Sequence, residues 1–336
     1  GARDVPAGLE VARTLSRPNP YELRSDSLDA LVGSSLACEG SLPCRERPKK
    51  LIVSGRYSSP MATSAAMASR TSSKKKSSTP PQEVPQPLSI EERTAYLEDR
   101  LKSAPPDVQA KYRDDLDMSW IAHDSALEGV VYTVAELRSA IHGVDLGPTI
   151  DSSMQPVVEE IRRHREALNF TREQATRRRI PVTVDVVKRV YTVLHPEEGD
   201  IKTVKYRKDI PQHRLYFHEY APPDKIAYKL RQVIDWVNDP EAKRTRTPVR
   251  LAARAHYDLL RIFPFTTDSG KVARLVMNLL LLRAGYPPAI IHSTERQRYY
   301  EALKGSSATM LSIVQDAIEN SLASIEKLLD AYDGKG

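Results

Sequence analysis

An all-α domain carrying one β-hairpin, placed behind a disordered basic tail, is the fold this sequence predicts. Three observations predict it. Residues 1–87 are rich in Ser, Pro, Ala and Arg and show no sustained apolar periodicity, the composition of a chain that cannot bury enough apolar surface to order itself. Residues 88–336 instead place apolar residues at helical spacing in segment after segment. Only one stretch, "IKTVKYRKDIPQHRLYFHEYAPP" at 201–223, groups β-branched and aromatic residues in two short runs around a turn-like centre at Asp209 to Gln212, as a hairpin does.

The elements follow in order. "SIEERTAYLEDRLKS" opens a helix with Ser89 and Glu92 as a capping box, and "TVAELRSAIHG" runs from Thr133 to a terminal Gly143. Between them lies the long helical pattern "PPDVQAKYRDDLDMSWIAHDSALEG". "QPVVEEIRRHREALNF" and "VTVDVVKRVYTVLHP" continue the series, the second stopped by Pro196. After the hairpin, Asp224 is expected to cap a helix whose Ile226, Leu230, Val233, Ile234 and Val237 share a face. "TPVRLAARAHYDLLRIF" and "SGKVARLVMNLLLLRAG" form a helix pair; a short helix near "ERQRYYEALKG" and a last one from about Ala308 to Tyr332 complete the domain.

Charge and cysteine usage narrow the function. Most of the formal net charge of +6 comes from the tail, through "CRERPKK", Arg56, Arg70 and Lys74 to Lys76, so the folded part does not read as a nucleic-acid binder. Both cysteines, Cys38 and Cys44, lie in the tail, which leaves the fold without a disulfide framework or thiolate metal site and points to a reducing, cytoplasmic setting. The longest apolar run, Leu275 to Leu282, is too short to span a membrane. Met61 makes a better natural start than Gly1, so the residues before it read as an extension or a fragment.

The stretch "PFTTDSGK" is where chemistry is expected. It is a polar loop that meets a helix N-terminus at Ser269 or Gly270, and Lys271 and Arg274 follow one turn apart, so free backbone N–H groups and two cations could hold an anion. Simple capping by Asp268 or Ser269 is the plainer reading. A Walker-A loop is excluded, because the Gly it needs five residues before Gly270 is Phe265. His256 lies two helical turns before Phe263 and reads as a packed residue; His213 and His218 lack an accompanying ligand set.

These residues resemble the signature of the Fic (Fido) family, His-Pro-Phe-x-(Asp/Glu)-Gly-Asn-Gly-Arg-x-x-Arg at the head of a buried helix. Here Phe263 stands at the His, Thr267 at the acid, Asp268 and Ser269 at Gly-Asn, Gly270 at Gly, Lys271 at the first Arg and Arg274 at the second. The flanks "AARAHYDLLRI" and "LVMNLLLLRAGYPPAII" match well, and "HDSALEGVVYT" resembles the inhibitory motif (Ser/Thr)-x-x-x-Glu-(Gly/Asn), with Asp124 at the Ser/Thr and Glu128 and Gly129 in place. The hairpin resembles the flap on which the family holds a target segment by strand addition. Together these features span about residues 120–300.

The resemblance implies a Fic-type helical bundle with one flap, ATP with Mg²⁺ as the family's cofactors, a protein target, and AMP transfer to a protein hydroxyl. It also implies that transfer fails here. Phe263 offers no base, and a positioned general base is worth about 10²- to 10⁴-fold in rate. Thr267 removes the metal carboxylate, leaving Asp268 as the candidate metal ligand. The expected nucleotide-binding residues are Ser269, Gly270, Lys271 and Arg274. Glu128 is the expected regulatory residue, hydrogen-bonded to Arg274. The reading is a degenerate Fic/Fido protein, a pseudoenzyme or a module binding nucleotide or protein; the alternative is an active nucleotidyl- or phosphotransferase using Asp268, Ser269 and Lys271.

Overall fold

In the computed structural model the described residues are 88–143, 155–211 and 219–334. They fold as eleven α-helices: α1 Ile90–Ser103, α2 Pro106–Leu127, α3 Val134–His142, α4 Gln155–Thr176, α5 Val184–Leu194, α6 Ile226–Asn238, α7 Pro240–Thr245, α8 Pro248–Ile262, α9 Ser269–Arg283, α10 Arg296–Lys304 and α11 Ser307–Tyr332. The expected tail, 1–87, lies outside the described residues.

The bundle is organised around α9. Its residues from Ser269 to Leu281 are all buried, because "LVMNLLLL" is apolar almost all round and a helix of that kind can only sit inside a core. Helices α8, α4 and α5 pack against it, and α11 closes the far side of α8 while also covering α1 and α10. Asn278, wholly buried on α9, receives the N–H of Ala289 at 2.7 Å and donates to its carbonyl at 3.2 Å. The "GYPPAII" segment is thereby stitched back onto the helix it follows.

Local chemistry explains the helix ends. Ser89 and Thr133 form full capping boxes with Glu92 and Glu136. Helix α2 stops where Gly129 takes φ 93°, a conformation that costs Gly little, and the Leu127 carbonyl is then held by Arg296 and Tyr300. That anchoring aims the C-cap residue, Glu128, at the start of α9.

Two expectations are corrected. Asp224 does not cap α6: a 3-10 turn, Pro223–Lys225, precedes the helix, and Lys225 occupies the cap position without a side-chain bond. The described parts of the expected hairpin, 201–211 and 219–223, contain no strand, and 212–218, with His213 and His218, lie outside the described residues. Those parts are held from within instead. The buried Arg207 guanidinium donates to the carbonyls of Ile262 and Phe263, at the C-terminal end of α8, and to those of Asp209 and Ala221, so one cation satisfies helix-end carbonyls that would otherwise be orphaned. Among the described residues, no helix is long and apolar enough to cross a membrane.

Candidate functional site

The loop between α8 and α9 is bounded by two non-glycine residues in left-handed backbone, Phe263 and Asp268, both at φ 48°. Asp is one of the few side chains that tolerate this region, which explains how it can stand where the resembled signature has Gly. Phe263 caps α8, its N–H bonded to the Leu259 carbonyl at 2.8 Å. Its ring is buried and meets Tyr220 edge-on, with centroids 5.3 Å apart. Phe265 stacks flat on Tyr191 at 4.0 Å. An aromatic packing residue therefore stands at the position where the resembled signature has His.

The side chains of three of the four expected anion ligands, Ser269, Lys271 and Arg274, are already engaged. The Ser269 hydroxyl donates to the Phe265 carbonyl at 2.9 Å and accepts its N–H at 2.8 Å, closing the loop on itself. Lys271, 3% exposed, lies 3.2 Å from Asp268 Oδ1 and 3.6 Å from Glu160 Oε1, and Glu160 also accepts from the Tyr132 hydroxyl at 2.7 Å. Burial pulls the Lys271 ammonium down, but the Asp268 and Glu160 charges outweigh it and raise its pKa. Asp268 does not cap the helix with its side chain. Its Oδ2 binds His195 Nε2 at 2.8 Å, while His195 Nδ1 binds Glu197 Oε1 at 2.9 Å. Burial pushes the Asp268 carboxyl up, but His195 and Lys271 more than compensate and hold it well below the usual carboxylate range. The same contacts overcome burial at His195 and raise its pKa above 6.5.

Arg274 is the deepest member. It donates through Nε to Asp124 Oδ1, through Nη2 to Glu128 Oε1 at 2.7 Å and to the Asp124 carbonyl at 3.2 Å, and through Nη1 to the Tyr299 hydroxyl at 3.3 Å. The expected Glu128–Arg274 bond is thus present, across 146 positions of sequence. Glu128 also fills the head of α9: a Cβ added at Gly270 would collide with Glu128 Oε1 and come within 3.1 Å of both its Cδ and Arg274 Nη1. Around the α9 N-terminus the carboxylates are Asp124, Glu128, Glu160, Glu197 and Asp268, and the basic side chains facing them are Lys271, Arg274, His195 and, at Glu197, Arg163.

The residues present do not fit a magnesium ion or a polyphosphate as they stand. Both oxygens of Asp268, the one candidate metal ligand, already face basic side chains, His195 and Lys271. His256 is packed as expected, its Nε2 3.0 Å from the Tyr299 hydroxyl; burial, and after it the charge of Arg274, lower its pKa to about 3.

Residues 181–281 match the Fic/DOC family model, and the chain carries a Fic/Fido domain. The protein adenylyltransferase Fic of Drosophila willistoni is 31% identical over 211 residues, covering 60% of this chain and 40% of that protein. The protein adenylyltransferase fic-1 of Caenorhabditis elegans is 28% identical over 227 residues, covering 63% and 41%. The chain thus spans about two fifths of the length of these relatives. Among solved structures, a Fic domain containing signaling protein from Bacteroides thetaiotaomicron matches with a TM-score of 0.60 at 22% identity over 73% of this chain and 99% of that one. Fic-1 of C. elegans, residues 134–508, matches with a TM-score of 0.56 at 21% identity over 74% of each. At these identities the two structures speak to the fold.

Proposed function

We propose that this chain is a degenerate Fic/Fido protein, a pseudoenzyme on a protein adenylyltransferase scaffold whose nucleotide site is filled by its own carboxylates. The observation that carries the reading is the seat of Glu128 against Gly270 with both flanking cations, Lys271 and Arg274, already paired. An incoming triphosphate would have to displace Glu128 and approach four further carboxylates. Two like charges about 4 Å apart repel by roughly 4 kcal/mol at an effective dielectric of 20. Phe263 would then leave the target hydroxyl without a base.

The alternative, a rewired transferase acting through Asp268, Ser269 and Lys271, loses its support from the same geometry, since the polar atoms of all three are spent on neighbours. ATP with Mg²⁺, the ligands that the resemblance implies, belong in this reading to the ancestral activity. The task we assign to the retained scaffold is binding a protein segment beside the described residues 204–211 and 219–220. Arg207 supports this by tying both flanks of that stretch to the end of α8. So does a cavity of about 770 Å³ beside them, lined by Ile210, Tyr220, Val233, Trp236 and Arg261 among others. Incubating the wild-type chain with ATP labelled on its α-phosphate, Mg²⁺ or Mn²⁺ and a cell lysate tests the proposal. Label on the chain or on a lysate protein that persists in Phe263→Ala would mean that a transferase is at work.

A further inference from the structure

In the resembled inhibitory motif the residue four before the Glu is Ser or Thr, an uncharged hydrogen-bonding group; here it is Asp124. The structure places it deeper than Glu128, with 2% of its side chain exposed against 19%. Its Oδ1 takes Arg274 Nε and its carbonyl takes Nη2. Its other oxygen, Oδ2, lies 3.0 Å from Nε2 of His164, a residue of α4 that is itself only 2% exposed. The Asp124 carboxylate is therefore bonded to Arg274 on α9 and buried against His164 on α4, whose Nε2 approaches Oδ2 without hydrogen-bond alignment. Burial pushes its pKa up, but the charge of Arg274 and the contact with His164 prevail and keep it below its ordinary 3.8, so it stands against Arg274 as an anion.

Arg274 has no idle nitrogen: Nε is spent on Asp124, Nη2 on Asp124 and Glu128, and Nη1 on Tyr299. Removing Glu128 releases one of those bonds and clears the space above Gly270. It leaves the guanidinium neutralised by a fixed carboxylate out of reach of water, so an arriving polyphosphate meets an already paired cation with an anion beside it.

We propose that Asp124 is a second, inner lock on Arg274, and that the anion cradle at the head of α9 opens to a polyphosphate only when the charges of both Asp124 and Glu128 are gone. This rests on the reading of the α9 N-terminus as a former nucleotide site. It makes Asp124 a positioning residue that has turned a phosphate-binding arginine into an internal strut.

The test is calorimetric titration of inorganic triphosphate into the full chain as wild type, Glu128→Gly, Asp124→Asn and Asp124→Asn/Glu128→Gly. Asn keeps an oxygen acceptor for Arg274 and presents an amide N–H to His164, whose neutral ring nitrogen can accept it, while removing the charge; Asp124→Ser, the residue type usual in the motif, serves as the second variant. Thermal melts of each protein check that it is folded. The expected result is no binding by wild type and binding by the double variant at least tenfold tighter than by Glu128→Gly. Equal affinity of Glu128→Gly and the double variant would overturn the proposal, and so would a folded double variant that fails to bind. AMP transfer by the folded double variant would sink the pseudoenzyme reading, because Phe263 would then be no barrier to transfer, while leaving this ratio intact, so the two failures are distinguishable.

Discussion

Gly270 is the position at which the packing of Glu128 onto α9 can be weighed against a known backbone gain. Replacing Gly by Ala inside a helix ordinarily stabilises by up to about 0.5–1 kcal/mol. Here the new methyl would collide with the Glu128 carboxylate and crowd Arg274 Nη1 at 3.1 Å. Glu128 ends in a flexible side chain, so the carboxylate is what must move, and the bond lost is a charge-assisted one worth about 1.5–3 kcal/mol. Gly270→Ala should therefore destabilise the wild type by about 1–2 kcal/mol. In a Glu128→Gly background the collision is gone and only the tip of the Arg274 side chain, at 3.1 Å, has to give by a few tenths of an ångström, so the same change should be neutral or stabilising by up to about 1 kcal/mol. Urea unfolding of the four proteins closes a double-mutant cycle with an expected coupling of about 1.5–3 kcal/mol. Equal effects of Gly270→Ala in the two backgrounds would refute the claim that Glu128 occupies the head of α9.

Three further outcomes are expected. Arg207→Ala removes the donor shared by four carbonyls and should cost about 3 kcal/mol or more in urea unfolding, since each buried acceptor left unsatisfied costs about 1–3 kcal/mol; a loss under about 1 kcal/mol contradicts the clamp. Phe263→His alone should leave labelled-ATP transfer at background, because Glu128, Asp124 and Asp268 still hold the cradle; transfer by that single variant would show that the missing base was the main defect. The His195 pKa is raised above 6.5 in the fold, so its stabilisation is complete below pH 6.5 and fades as pH rises through the folded value, whereas that of Asp268, depressed below 3.8, fades only as pH falls through its own folded value. His195→Gln should therefore cost most below pH 6.5 and converge on the wild type as pH rises past the folded value; a pH-independent difference rules out the ionic contact.

What could be read in advance was what repeats locally or sits in a motif. Helix α9 was legible because its apolar run fits no surface element, and Glu128 because its motif survives around it. His195 was missed: "LHPEE" offers only an adjacent acid, Glu197, as a signal, and its partner Asp268 lies 73 positions away, a contact that exists only because α5 packs on α9. Glu160 and Tyr132 escaped for the same reason, their meeting with Lys271 being a product of tertiary packing. Asp124 was seen as a substitution, but its grip on Arg274 could not be, because hydrogen-bond direction is not written in spacing. Helix α7 is six residues long and has no periodicity to detect, while Asp224 failed as a cap because prolines at 222 and 223 favoured a 3-10 turn before the helix.

The most direct measurement is a calorimetric titration of ATP with excess Mg²⁺ into the wild-type chain at low ionic strength, where attraction between a polyphosphate and an open cationic cradle would be strongest. With Glu128 seated over Gly270, and Lys271 and Arg274 each held by two carboxylates, the expected result is no saturable heat. Stoichiometric binding that weakens in Lys271→Ala would contradict the account, because it would show that the cradle is still open to the nucleotide.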